Sequence, residues 1–179
     1  VALLSWRSYV ERERYIEHLR PFVSSQRLYE HLLAPGRRST PELDAQFPFH
    51  TLCRDILETQ LAYLVPLGTL APLAGPPLAY PPTSTVELPP LNQLASRFTS
   101  PSTLWVALEP EQYSGASWGI PLWSERGLIG LLLLGQKRDG SVYTQEEMEI
   151  ARASGERLVD VQASAEMTRR LLDLQRQRL

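Results

Sequence analysis

The chain has 179 residues, 43% of them hydrophobic, with 18 basic against 20 acidic side chains and a formal charge of −2. Such a length can bury one substantial core, so one domain with extensions is expected, and a near-neutral balance without a basic cluster leaves no electrostatic footprint for nucleic acid. The single cysteine excludes an intrachain disulfide framework and any multi-cysteine metal site, which suits the cytoplasm, and no apolar run approaches the ~20 residues of a membrane span.

The first residues, "VALLSW", are compatible with the tail of a preceding membrane helix, and the last lie inside a helical pattern. The expectation is therefore a piece cut from a longer protein, with membrane attachment through sequence before Val1 left open. Arg7 to Leu33 is charged and helical in pattern, with Tyr9, Ile16, Leu19, Val23 and Leu33 near heptad spacing. Pro21 interrupts this run and predicts a kink or a fresh start. "APGRRSTPELDAQFP" reads as a polar loop punctuated by proline. Phe49, Leu52, Cys53, Ile56, Leu57 and Leu61 then recur at helical spacing and predict an amphipathic helix.

Between Pro66 and Pro90 lie eight of the fifteen prolines. Proline cannot donate to a ladder, so this segment has room only for short strands near Tyr63–Leu67 and Leu78–Tyr80. A short helix at Leu91–Phe98 and a strand at Thr103–Leu108 follow. "WGIPLWSERGLIGLLLL" predicts a hairpin, with strands Trp118–Trp123 and Leu128–Gly135 and a turn over Ser124–Gly127. The second strand is apolar throughout, as expected when both its faces are covered.

The final helix announces its own start. Thr144 and Glu147 have capping-box spacing, Tyr143 and Met148 have staple spacing, and Glu146, Glu147 and Glu149 suit the positive end of the helix dipole. Ala151, Ser154, Leu158, Val161, Ala165, Thr168 and Leu172 form a stripe suited to covering a sheet. A second stripe runs through Ser164, Met167, Leu171 and Leu174. Past about Val161 the helix is expected to outrun its domain, leaving this second stripe as an apolar seam that requires a partner helix. The seam of Tyr9, Ile16 and Val23 is its counterpart at the other end. Together they predict a parallel homodimer whose N- and C-terminal helices form a bundle.

The element order predicts an α+β fold: an antiparallel sheet of five to six strands, helices packed on one face, and long terminal signalling helices. The divisions are a linker helix over 1–34, a sensor domain over 45–160 and a coiled-coil exit helix over 161–179. In "GIPLWSERGLIGLLLLGQKRDGSVYTQEEMEIARASGERLVDVQ" the C-terminal half resembles the end of a GAF domain, with its strand pair, glycine-led apolar strand, aromatic–Thr cap and long exit helix. The close resemblance covers roughly Trp118 to Gln162. "MTRRLLDLQRQRL" resembles the linker that joins a sensor domain to the dimerisation helix of a histidine kinase.

The resemblance implies a dimeric sensory or regulatory module of a bacterial two-component signalling protein, with a pocket on the sheet face opposite the terminal helices. It supplies no ligand. The cyclic-nucleotide branch carries Asn-Lys and Asp-Glu pairs; here Asn92 is followed by Gln93, and no Asp-Glu pair occurs. A bilin branch attaches its chromophore through a cysteine commonly followed by His, whereas Arg54 follows Cys53. Free methionine sulfoxide reduction needs several cysteines. No cofactor and no catalytic constellation are therefore expected in this chain, although the full-length protein would be a kinase on this reading. The alternatives are a ligand-free structural dimer and relay, and the effector domain of a transcription regulator.

Of the individual candidates, Cys53 is read as core filler and His18 and His31 as solvated residues. His50 has no second ligand at metal-binding spacing. "GQKRDG" is read as a wet loop, and the carboxylates of "ELDAQF" and "LEPEQY" show no pairing for acid–base work. The aromatics Trp105, Tyr113, Trp118 and Trp123 are the pocket candidates, because ligand sites are mostly apolar with a few polar groups.

Overall fold

The computed structural model describes residues 41–178 apart from Ser84. The expected linker helix, with Tyr9, Ile16, Val23, His18 and His31, lies outside the described residues. From Pro41 onward the elements are α1 (Pro41–Thr51), a π-turn at Leu52–Ile56, β1 (Ala62–Pro66), a 3-10 turn at Gly68–Leu70 and α2 (Ala71–Ala74). Then come β2 (Leu78–Tyr80), α3 (Asn92–Ser96), β3 (Val106–Ala107), β4 (Trp118–Ser124), β5 (Gly127–Leu134) and α4 (Gln145–Gln177). The strands form one five-stranded antiparallel sheet in the order β2-β1-β5-β4-β3. The class is α+β.

The apolar run lies at the centre of this sheet. Every residue from Ile129 to Leu134 in β5 is buried. Pleating divides them: Leu132 and Leu134 join the core beneath α1 and α4, while Leu131 and Leu133 join a second cluster with Leu94 of α3. The β4–β5 turn is tight, with Ser124 paired to Gly127. The proline-rich segment supplies a strand that ends at Pro66 and a three-residue edge strand, as a chain poor in free N–H groups must.

One irregularity breaks the ladder. Leu122 pairs with Gly130 but Trp123 pairs with Leu128, so Ile129 is the extra residue of a bulge. Gly130 is required beside it, since a Cβ there would lie 2.8 Å from the Val65 carbonyl oxygen.

Two expectations shift at α1. Residues 41–48, expected as loop, are helical, with Pro48 inside the helix and the Thr51 hydroxyl donating to the Phe47 carbonyl at 3.0 Å. The helix also stops short of Leu61. Phe49, Leu52, Cys53, Ile56 and Leu57 are buried as their spacing predicts, but Glu58 takes φ 49° and Thr59 bridges to Lys137. That turn delivers Leu61 to the second cluster. Helices also occupy both sheet faces. α1 and α4 cover one, whereas Leu91, Leu94 and Phe98 in and around α3 cover the other.

α4 is a single helix of 33 residues with both halves of the capping box formed. The Glu147 N–H donates to Thr144 Oγ1 at 3.1 Å, and the Thr144 N–H donates to Glu147 Oε2 at 2.8 Å. Tyr143 and Met148 are buried in the same cluster, as a staple requires. The buried stripe runs through Ala151, Ser154, Gly155, Leu158, Val159, Gln162, Ala163 and Glu166. Beyond Leu158 it leaves the expected positions: Val161 and Ala165 are half-buried, and Thr168 and Leu172 are exposed. A helix turning every 3.6 residues drifts away from a 3.5-residue repeat, and burial follows the helix. No helix among the described residues is long and apolar enough to cross a membrane.

Candidate functional site

The sheet divides the four aromatic candidates between its faces. Trp105 and Trp118 pack against the core under α1 and α4, and Tyr113 and Trp123 pack against the second cluster. Alternation along β4 separates Trp118 from Trp123. These four side chains therefore do not converge on one pocket. The face opposite α4, where the resemblance implies a pocket, is covered by the chain itself. Val65, Leu131 and Leu133 rise from the sheet to meet Leu91, Leu94 and Phe98. The rim is closed by hydrogen bonds, the Tyr63 hydroxyl donating to the Ser114 carbonyl at 2.9 Å and the Ser114 hydroxyl to the Glu87 carbonyl.

Neither Cys53 nor His50 forms part of a larger reactive cluster. Cys53 is fully buried on the π-turn, and burial pushes its thiol pKa well up, away from the reactive thiolate. Cys53→Ala is expected to remove packing only, costing on the order of 1 kcal/mol. A bulky thiol reagent should label the native protein far more slowly than a free thiol; labelling at the free-thiol rate would displace Cys53 from this core. The His50 ring lies edge-on to Tyr80 at 5.6 Å, with Nε2 enclosed and unpartnered. Among the described residues no group of three or more His, Cys, Asp or Glu side chains is placed to hold a metal ion.

The "GQKRDG" segment is not simply wet. Lys137 is 7% exposed, its Nζ is 2.6 Å from Glu147 Oε1, and it lies 5.8 Å from the centre of the Tyr143 ring. The Tyr143 hydroxyl in turn donates to the Gly135 carbonyl at 2.7 Å, and burial pushes its pKa up to about 12. The Gln60 and Arg138 backbone N–H groups donate to the Gln136 and Glu58 carbonyls, each at 2.8 Å. The loop thus ties the end of β5, the exit from α1 and the start of α4 together. The box residue Glu147 was visible as a cap, but its buried lysine partner has no signature in a charged four-residue run.

At its other end α4 leaves the domain. Burial persists to Glu166, one and a half turns past Val161, because α2 extends the surface on which α4 rests. Glu166 holds both neighbouring guanidiniums, with Arg169 Nε, Arg169 Nη2 and Arg170 Nε each 2.9 Å from its oxygens. The Arg169 guanidinium first, then that of Arg170, keeps the Glu166 carboxyl below the usual carboxylate range. Arg170 also donates to the Pro72 carbonyl at 3.4 Å. Arg170 is thereby tied to α2, while both guanidiniums remain more than half exposed beside Glu166. Outward lies the seam of Ser164, Met167, Leu171 and Leu174, the last three 39%, 58% and 56% exposed, with Leu172 beside it at 51%. Upstream along the same helical line lie exposed Glu149, Ala153 and Asp160, so the apolar character begins only where the domain ends.

No family model matches the chain, and no curated protein matches it significantly.

Proposed function

We propose that this chain is a GAF-like sensory or regulatory domain of a bacterial signal-transduction protein, in first place a sensor histidine kinase, acting through a helical homodimer interface. The observation that carries the reading is the outward seam of Met167, Leu171 and Leu174 on a helix that continues past its own core. Leucine and methionine repeated at heptad spacing on a free helix are costly in water and stable against a second helix. The β4–β5 hairpin followed by the capped helix α4 is the element order on which the sequence resemblance to GAF domains rests. On this reading the output lies beyond Leu179, and this chain carries no catalytic step of its own. Its working compartment is the cytoplasm, free or as the cytoplasmic part of a membrane-bound protein.

A second reading is favoured by the filled face. With Leu94, Phe98, Leu131 and Leu133 fully or almost fully buried against one another, the sheet face needs no ligand to complete it. The domain would then be a ligand-free dimerisation and relay module. Purification from the native host, followed by denaturation, mass spectrometry and absorbance, separates the two. A stoichiometric released small molecule supports the sensor; its absence, with the dimer intact, supports the relay. A protein that is monomeric at micromolar concentration overturns both.

A further inference from the structure

Trp123 occupies an unusual position. Its side chain belongs to the second cluster, on the sheet face away from α4. Its backbone N–H points the other way in function, donating at 3.1 Å to Glu156 Oε1 on α4. It also sits at the ladder's register shift, where Leu122 pairs with Gly130 and Trp123 with Leu128. Next to this contact α4 is seated closely: a Cβ on Gly155 would lie 2.9 Å from Leu122 Cδ2. The Trp123 indole N–H is enclosed and has no partner among the described residues, so packing alone sets the ring's position.

We propose that Trp123 is the positioning residue through which the second sheet face communicates with the exit helix. The inference rests on the relay reading above and names its route. A regular strand offers no slack, because moving one residue means breaking the ladder on both sides. At the bulge the extra residue, Ile129, has no partner in β4, so the ladder is interrupted there and the Trp123 N–H is held by Glu156. Displacing the indole by rearranging the second face moves the Trp123 backbone, across the ladder from the bulged Ile129, and changes its hold on Glu156. Gly155 and Leu122, in contact beside it, convert that change into a shift of α4. Coupling of this kind needs an element with two arrangements that both sites bias, and we assign that part to the bulge.

The test is hydrogen exchange along α4 in the whole chain. Glu156→Ala removes the acceptor, whereas Glu156→Gln keeps a carbonyl oxygen in its place. Trp123→Phe trims the indole on the far face without touching the helix. Phe98→Leu truncates the same face away from the ladder and should reach α4 only through the Trp123 indole. Exchange of the Glu156–Glu166 amides should rise about tenfold or more in Glu156→Ala and in Trp123→Phe, remain near wild type in Glu156→Gln, and rise no further when Phe98→Leu is added to Trp123→Phe. Trp123→Phe loosening only the second face would overturn the proposal, and so would Phe98→Leu loosening α4 as much in the Trp123→Phe background as in the wild type. Light scattering on the same samples reports the dimer separately, so a failed relay is distinguished from a failed route.

Discussion

Replacing Lys137 with Met is expected to destabilise the domain by about 3 kcal/mol, read as a lower urea midpoint at unchanged slope. The aliphatic stem is retained, so packing changes little; what is lost is the cation 2.6 Å from Glu147. Breaking a buried ion pair from one side leaves a charge without its partner, which costs roughly 3–5 kcal/mol. The lower end applies because the Glu147 side chain keeps 18% exposure and its bond from the Thr144 N–H. Adding Glu147→Gln should restore most of the loss. It removes the stranded charge, and glutamine still serves the capping box. A single substitution costing under about 1 kcal/mol would mean that the pair behaves as a surface salt bridge.

This pair also marks what the sequence could and could not convey. Elements whose signals are local were legible. The Thr144–Glu147 box, the hairpin of β4 and β5, the short strands flanking the prolines and the burial of Cys53 each follow from residues within one turn or one strand. The α1 end was misplaced because the decisive contact, Thr59 with Lys137, joins positions far apart in the chain. No periodicity encodes such a bridge, and Leu61 kept the helical spacing while lying past the turn at Glu58.

The candidate site was legible unevenly. The four aromatics were correctly placed near the sheet, but alternation along β4 puts Trp118 and Trp123 on opposite faces, and Trp105 and Tyr113 divide likewise. The seam was legible as a 3-4 pattern. Its starting point was not, since that depends on how far α2 supports α4, a tertiary matter. The adjacent arginines illustrate the same limit: in sequence they flank the seam, and only the fold shows Glu166 holding both guanidiniums. The role of Glu156 left no trace, because one carboxylate among many on a charged helix carries no pattern.

The central claim is that the seam beyond Glu166 meets its copy in a parallel homodimer. Leu171 and Leu174 would each contribute on the order of 1.5–3 kcal/mol when fully buried. Little more than half of each is exposed in the single chain, so four such side chains across two copies amount to roughly 3–7 kcal/mol, and removing them should raise the dissociation constant by about 100-fold or more, at 1.4 kcal/mol per tenfold. Glutamates at these positions add like charges facing one another across the axis. Since both leucines are exposed in the single chain, the double variant should keep the fold of the domain. The deciding measurement is light scattering at micromolar concentration on the wild type and on Leu171→Glu with Leu174→Glu. The account predicts a wild-type dimer and a folded monomeric variant; a wild-type monomer, or a dimer untouched by both glutamates, would contradict it.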